Sequence, residues 1–296
     1  MLAQADRTPV TVLGMGPMGR ALAGAFIDSG HPTTVWNRSA ARAQPVVAKG
    51  AAPAPSAAEA AQASPLVVVC VLDDRAALAV LDSAGDALKG RTVVNLTTDS
   101  PERAREVAAW AEQRGVDYLD GSIMTPTTTI GGPAAQVLYS GPQEVYARHR
   151  AALADIGGAA VYLGTDPGRA AAFDVALLDL FWSTMSGYVH ALALARSEGI
   201  PPSTLVPFAR GIVDILPEIM AELARQAEAG EYPGEDSSLV SAAAGIEHIV
   251  HAAKARGLDT GVLSAAKDLA DRAIAAEHGE DSFARLVETV AQGPAA

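Results

Sequence analysis

The segment that most constrains this chain is Val10-Thr11-Val12-Leu13-Gly14-Met15-Gly16-Pro17-Met18-Gly19. A short apolar run ends in a Gly-x-Gly-x-x-Gly turn, and Met18 to Ser29 then follow with helical spacing. In a strand-to-helix turn of this kind Gly14 permits the tight bend, Gly16 lets a pyrophosphate approach the backbone, and Gly19 allows the helix to pack closely on the sheet. Backbone N–H groups at the helix start then hold phosphates, with Met15, Pro17 and Met18 completing the loop. The motif alone also fits an ordinary tight turn, so the rest of the chain must decide.

To about residue 165, apolar runs continue to alternate with Ala-rich helical stretches, the pattern of βαβ units around a parallel sheet. Strands are expected at Val10 to Leu13, Thr33 to Trp36, Leu66 to Leu72, Thr92 to Leu96, Tyr118 to Leu119 and Gln136 to Tyr139. Helices are expected at Met18 to Ser29, Ala40 to Lys49, Ser56 to Ala63, Arg75 to Ala87 and Pro101 to Arg114. Ser56 precedes Glu59 at capping-box spacing, and Ser100-Pro101 offers a cap and a first-turn proline. After Gly168 the strand signals largely stop, and the helical pattern breaks at Gly199-Ile200-Pro201-Pro202, near Leu216-Pro217, at Tyr232-Pro233-Gly234 and at Gly257. The reading is an α/β chain: a doubly wound Rossmann domain over 1–165, a connecting helix over 166–198 and an all-helical domain over 199–296. With fewer than 100 residues, the last domain is short of a core of its own and calls for a partner subunit.

The net charge is −12 and the hydrophobic fraction 49%, which opposes non-specific attraction to nucleic acid or to an anionic membrane and leaves any anionic ligand to be held locally. The single cysteine, Cys70, excludes an intramolecular disulfide framework and reads as a small core residue. Val175 to Ala195 is long enough to span a bilayer, but Asp179, Ser183, Thr184, Ser186, Gly187 and His190 interrupt it. With a short, mixed N-terminal segment that lacks signal-peptide features, the expectation is a cytoplasmic protein.

The end of the second strand discriminates between dinucleotides. A site for NAD places Asp or Glu about 20 residues beyond the glycines, to accept from the ribose hydroxyls. Here the strand ends Val35-Trp36-Asn37-Arg38-Ser39, with no acid. Asn37 and Ser39 can hydrogen-bond an additional phosphate, and Arg38, with Arg42 a turn later, supplies guanidinium groups suited to phosphate oxygens. The arrangement favours NADPH, the other reading of Arg38 and Arg42 being solvated cations at a helix start.

Asp174 lies in the first turns of an otherwise apolar helix and admits two readings. Buried near an interface, its pKa rises towards acid/base competence; exposed, it is an aspartate favoured by the helix dipole. At about 100° per residue, Phe181, Met185 and Tyr188 fall within roughly 40° of Asp174 and Trp182 about 80° round. His190, His248 and His251 prompt a metal reading, but no third ligand accompanies the pair 248 and 251, and packing roles are favoured. No metal is expected.

Taken in order, the glycine loop, Val35-Trp36-Asn37-Arg38-Ser39, Val69-Cys70-Val71-Leu72-Asp73, Val94-Asn95-Leu96-Thr97-Thr98, Tyr118-Leu119-Asp120-Gly121-Ser122-Ile123-Met124, Leu138-Tyr139-Ser140-Gly141 and Phe173-Asp174-Val175-Ala176-Leu177-Leu178 resemble the NADPH-dependent imine reductases and reductive aminases. The resemblance continues through His190 to Leu194, Tyr232-Pro233-Gly234 and Gly245 to Ile249. It implies a domain-swapped homodimer, an imine or an amine and ketone as substrate, and an active site in the cleft between the two subunits. It also implies that Val71, Leu72, Asn95 and Thr97 lie against NADPH, with Asn95 near the nicotinamide and the substrate nitrogen, and that Asp174 handles the amine or iminium. Where many members of that family have tyrosine or aspartate as proton donor, this chain has Trp182, whose indole donates a hydrogen bond but no proton at neutral pH. Tyr188, Asp174 itself or water remain as donors, and Trp182 can pack against a substrate ring or cation.

Two other readings compete. A β-hydroxyacid dehydrogenase shares the fold but uses a lysine and an asparagine where this chain has Asp174 and Leu178, and a Ser-Gly-Gly loop where it has Ser122-Ile123-Met124-Thr125-Pro126. An aspartate repels a carboxylate substrate and stabilises an iminium cation, which favours the imine. A non-catalytic NADP-binding dimer, with Trp182 marking a lost proton donor, is the third.

Overall fold

The computed structural model describes residues 7–293. In chain order its first part runs β1 (Val10–Leu13), α1 (Pro17–Asp28), β2 (Thr33–Trp36), a 3₁₀ turn at Ala40–Ala43 leading into α2 (Gln44–Val47), β3 (Ala52–Pro53), α3 (Ala57–Gln62) and β4 (Leu66–Val69). It continues with α4 (Asp74–Ala84), β5 (Thr92–Asn95), α5 (Pro101–Glu112), β6 (Asp117–Ile123), β7 (Gln136–Ser140), α6 (Gln143–Ala154) and β8 (Ala159–Tyr162). The eight strands form one sheet in the order β3-β2-β1-β4-β5-β6-β7-β8. The chain walks outward from β1 to β3, then returns so that β4 pairs with the other side of β1, which is the doubly wound plan.

The sheet is not wholly parallel. β6 and β7 pair antiparallel, because the link between them carries only a 3₁₀ turn at Thr127–Thr129 and lacks the helical crossover that parallel neighbours need. Three elements escape the sequence pattern: the edge strands β3 and β8, which are short and partly exposed, and α6. The expected helix over Ala40 to Lys49 is split into the 3₁₀ turn and α2, with Pro45 at the first turn of the latter. Strand β4 stops at Val69, so Cys70 to Leu72 form a loop. The start signals act as read: Ser56 accepts from the Glu59 N–H at 3.1 Å and Ser100 from the Arg103 N–H at 3.4 Å.

Leu22, Phe26, Leu153 and Ile156 pack on one face of the sheet, and Leu81, Leu88, Val107 and Ala111 on the other. At about 1.5–3 kcal/mol for each fully buried Leu or Phe side chain, these faces dominate the stability. An exposed pair such as Arg105–Asp166, 2.8 Å apart, is screened by solvent and adds little beside them.

The chain divides into two compact units, Met1–Asp179 and Leu180–Ala296, with the division inside α7 (Arg169–Ser197). The second unit holds α8 (Pro202–Ala229), α9 (Leu239–Ala255), α10 (Gly261–Ala273), a π turn at Ile274–His278 and α11 (Leu286–Ala291). The break expected near Leu216-Pro217 does not form, since α8 runs through both Pro207 and Pro217. Each proline removes one N–H donor, and the exposed surface around Val213 leaves the freed carbonyl open to water. Leu239, Ala273 and Leu286 are the buried cluster of this unit, with Ile274 against them, while Phe208, Ile212, Ile215 and Ile219 of α8 are exposed. Among the described residues no helix is long and apolar enough to cross a membrane.

Candidate active site

In open α/β sheets ligands settle beyond the carboxyl ends of the strands where the strand order reverses, here the ends of β1 and β4. The sequence reaches that point with Gly14, whose φ is +106° and whose place a Cβ would take only at 2.1 Å from the Cys70 carbonyl oxygen. A Cβ at Gly19 would lie 1.9 Å from the Gly14 oxygen, so these two glycines allow loop, β4 and α1 to close on one another. Gly16 differs, since a Cβ there meets nothing within 4 Å. It caps α1 with no side-chain hydrogen bond, and Pro17 takes the first helical position. The first-turn N–H groups of Met18 and Gly19 therefore face an open cradle with no side chain capping them, which fits a pyrophosphate.

The end of β2 gives Asn37 a second role. Asn37 accepts the Met15 N–H through Oδ1 at 2.9 Å and donates through Nδ2 to the Ser39 carbonyl at 2.9 Å. It braces the glycine loop, and one hydrogen of its amide nitrogen is left for a phosphate. Arg38, Ser39 and Arg42 are exposed beside it and available for a 2′-phosphate. Arg20 also holds the loop, donating to the Met15 carbonyl at 3.0 Å, a role no motif signals.

Beyond β4, the Val71 N–H donates to the Thr97 hydroxyl at 3.2 Å, and the Thr97 N–H donates to Asn95 Oδ1 at 3.3 Å. Leu72 next to it is 86% exposed. Val71, Leu72, Asn95 and Thr97 thus come together as one shelf. Asn95, however, is fully buried, with Nδ2 donating to Asp74 Oδ1 at 2.8 Å and to the Tyr118 hydroxyl at 3.3 Å. Both amide hydrogens are engaged inside the protein, so the geometry makes Asn95 a brace rather than a donor to substrate. Burial pushes the neighbouring Cys70 thiol up to about 12, which leaves it no nucleophile.

Sequence reading missed the acids behind this shelf. Asp74 and Asp120 are almost wholly buried, and Tyr118 donates to Asp120 Oδ1 at 3.2 Å. Burial first, then the nearby charges of Asp74 and Asp174, drive the Asp120 carboxyl well above the ordinary range, opposed by the Tyr118 hydroxyl and the Ala171 N–H in the first turn of α7. An acid inside an otherwise apolar strand, Tyr118-Leu119-Asp120, was the available signal. Ser140 holds the same turn, accepting the Ala170 N–H at 3.0 Å.

Asp174 follows one turn later and is 2% exposed. The solvated alternative is excluded: burial raises its pKa, a Thr98 hydroxyl bond opposes the rise, and Oδ2 has no hydrogen-bond partner. A buried acid with one oxygen free is equipped to give a proton to a substrate atom and then to sit as the counter-ion of the cation it makes. In the second unit Trp182 is 63% exposed, its ring edge-to-face with Phe181 at 5.1 Å, and Tyr188 is half-buried. His248 and His251 lie on α9, and among the described residues no three potential ligands converge on a metal site.

Comparison with known proteins gives concordant matches. Residues 166–292 match the family described as NADPH-dependent reductive aminase-like, C-terminal domain, and residues 9–164 match the NAD binding domain of 6-phosphogluconate dehydrogenase. The NADPH-dependent reductive aminase of Aspergillus oryzae is 33% identical over 94% of this chain and 96% of its own length. An imine reductase from Myxococcus stipitatus in complex with NADP+ superimposes with a TM-score of 0.91 at 36% identity, over 95% of this chain and 99% of that one. A reductive aminase from Aspergillus terreus in complex with NADPH and ethyl levulinate does so with a TM-score of 0.92 at 36% identity, over 96% and 99%. By its glycine loop, its acid at the head of α7 and its likeness over nearly the whole length of these proteins, the chain belongs to the family of NADPH-dependent imine reductases and reductive aminases.

Proposed function

We propose that the protein reduces the C=N bond of an imine or iminium ion, cyclic imines foremost, to an amine with NADPH, and that it accepts imines formed from a ketone and an amine. The observation that carries the reading is Asp174, a buried acid with a free Oδ2 where a hydroxyacid dehydrogenase needs a cation. When bound, NADPH supplies a hydride from C4 of its nicotinamide to the imine carbon. Asp174 gives its proton to the imine nitrogen, and the carboxylate left behind neutralises the iminium, an interaction absent from the neutral imine and so selective for the reacting state. Trp182 offers an aromatic face to a substrate ring, and Tyr188 is the phenol that stands second to Asp174 as donor. Gly14 to Gly19 hold the pyrophosphate, Val71, Leu72 and Thr97 form the shelf for the nicotinamide end, and Asn95 keeps that shelf in place.

The same reading assigns residues 1–165 to the cofactor, 166–198 to the connecting helix and 199–296 to the substrate and to pairing with a second copy. In support of a homodimer, the exposed Phe208, Ile212, Ile215 and Ile219 fall at helical spacing on α8, and the buried cluster of that unit is small. Apolar stripes of this kind mark subunit contacts. The acidic charge balance opposes a nucleic-acid or anionic-membrane partner, and a cytoplasmic location is part of the same proposal.

Two measurements test the proposal. NADPH oxidation should be stimulated by a small cyclic imine, and a 3-hydroxy acid with NADP+ should give no turnover; the reverse result overturns it. Arg38→Ala should raise KM for NADPH by roughly tenfold or more, the loss expected for a charge-assisted phosphate contact, while KM for NADH changes little. An equal effect on both removes the 2′-phosphate role.

A further inference from the structure

Asn95 bonds one buried acid, Asp74, directly and a second, Asp120, through the Tyr118 hydroxyl, and the reaction itself uses neither. An asparagine amide is nearly symmetric in shape, so its partners set which end is oxygen and which is nitrogen. On one side stands Asp74, 1% exposed, at the start of α4, accepting from Nδ2; on the other is the Thr97 N–H, which requires Oδ1. Thr97 in turn fixes the Val71 N–H through its hydroxyl. The order of donors and acceptors is fixed along this line while Asp74 is ionised, since both of its oxygens then only accept.

We propose that Asp74 is a positioning residue for cofactor binding, whose carboxylate sets the orientation of the Asn95 amide and, through Thr97, the place of the Val71 shelf. The inference rests on the reading of this crevice as the NADPH site and deepens it. Protonated Asp74 carries an O–H that seeks an acceptor. If the Asn95 amide turns to offer its oxygen, its nitrogen faces the Thr97 N–H, donor against donor, and the link from Thr97 to Val71 loosens. The proton is within reach of ordinary solution conditions. Burial above all pushes the Asp74 carboxyl up to about 6, with Asp99 and Asp73 adding to the rise and Asn95 and Arg103 opposing it. Asp99 also accepts the Asp74 N–H at 3.1 Å. Beyond Asn95, Tyr118 and Asp120 of β6 face the same network, and Asp174 of α7 faces Asp120.

The test is calorimetric titration of the full-length protein with NADP+ at pH 7.5 and 5.5, for the wild type, Asp74→Asn and Asp74→Ala. Asn has the donor-and-acceptor pattern of the protonated acid at every pH and Ala has neither group, while the ligand's own phosphate titration is common to all three. On going to pH 5.5 the wild type should lose up to about fourfold more affinity than Asp74→Asn, the ceiling when a group that titrates at about 6 must be ionised to bind. At pH 7.5 Asp74→Ala and Asp74→Asn should both bind about tenfold more weakly than wild type, the one lacking the acceptor and the other carrying a fixed donor. The same pH dependence in the wild type and Asp74→Asn overturns the proposal, and that comparison holds even if Asp74→Ala does not fold. So does wild-type affinity in a folded Asp74→Ala. A wild type that shows the expected pattern but reduces no imine overturns the reaction and supports this inference; one that binds NADP+ at neither pH overturns both.

Discussion

Replacing Asp174 by asparagine is expected to lower kcat/KM for a cyclic imine by roughly a thousandfold, within the range that a positioned general acid supplies, and to leave the fold intact. The side chain keeps its shape, so packing around the first turns of α7 is preserved, but the proton and the counter-ion for the iminium are both lost. Alanine should give a loss of the same order. Stability should move the other way. Burial raises the folded-state pKa of Asp174, so the folded chain holds this proton more tightly than the unfolded chain does. Its contribution to stability is complete below the unfolded value, and it is lost as pH rises through the folded one. The neutral amide of the variant undergoes no such loss, and Asp174→Asn should melt no lower than wild type at pH 8. The same sign governs activity: with Asp174 as the donor, wild-type kcat/KM for the neutral imine falls as pH rises through its elevated pKa. Measuring rates and melting together checks the argument, and a variant within twofold of wild-type kcat/KM would remove Asp174 from the mechanism.

What could be read from the sequence follows from how local each signal is. The glycine loop and the caps at Ser56 and Ser100 depend on residues a few positions apart, and they appear as expected. The β-strands were found where Val and Leu run together, as at Val10–Leu13 and Leu66–Val69, and missed where an edge strand is short and half-exposed, as at Ala159–Tyr162. The strand at β7 is legible but its antiparallel direction is not, because hydrophobic pattern marks a strand and not its direction. In the site, Arg38 and Asp174 stand out as charges, whereas the bracing bonds of Asn37 do not, because hydrogen-bonding capacity does not reveal which partner takes it. Its partner, the Met15 N–H, lies 22 residues away in the chain. The network of Asp74, Asn95, Tyr118 and Asp120 joins residues from α4, β5 and β6, and only the parallel register of β5 and β6 brings them side by side.

Gly14→Ala and Gly16→Ala should separate folding from cofactor binding within one loop. At Gly14 an added methyl has nowhere to go: the backbone is left-handed at φ +106°, and the Cβ would lie 2.1 Å from the Cys70 carbonyl oxygen and 2.8 Å from a Val71 methyl. A side chain in a disfavoured backbone region costs about 1–3 kcal/mol, and overpacking adds about 1–3 kcal/mol. Against a total stability of about 5–15 kcal/mol, the first unit should melt roughly 10 °C lower or fail to accumulate. Gly16, at φ −67° and ψ −178°, is already in a conformation open to any L-residue, and its Cβ would touch nothing. The variant should therefore fold and melt like wild type. Its methyl group would stand in the cradle before the Met18 and Gly19 N–H groups, where the pyrophosphate has to approach the backbone. NADPH affinity should fall by about a hundredfold, equivalent to about 2.7 kcal/mol. Melting curves and NADPH titration of the two variants decide the matter: a Gly16→Ala protein that binds NADPH as wild type does would place the cofactor elsewhere, and a stable Gly14→Ala protein would show that the loop can close without its glycine.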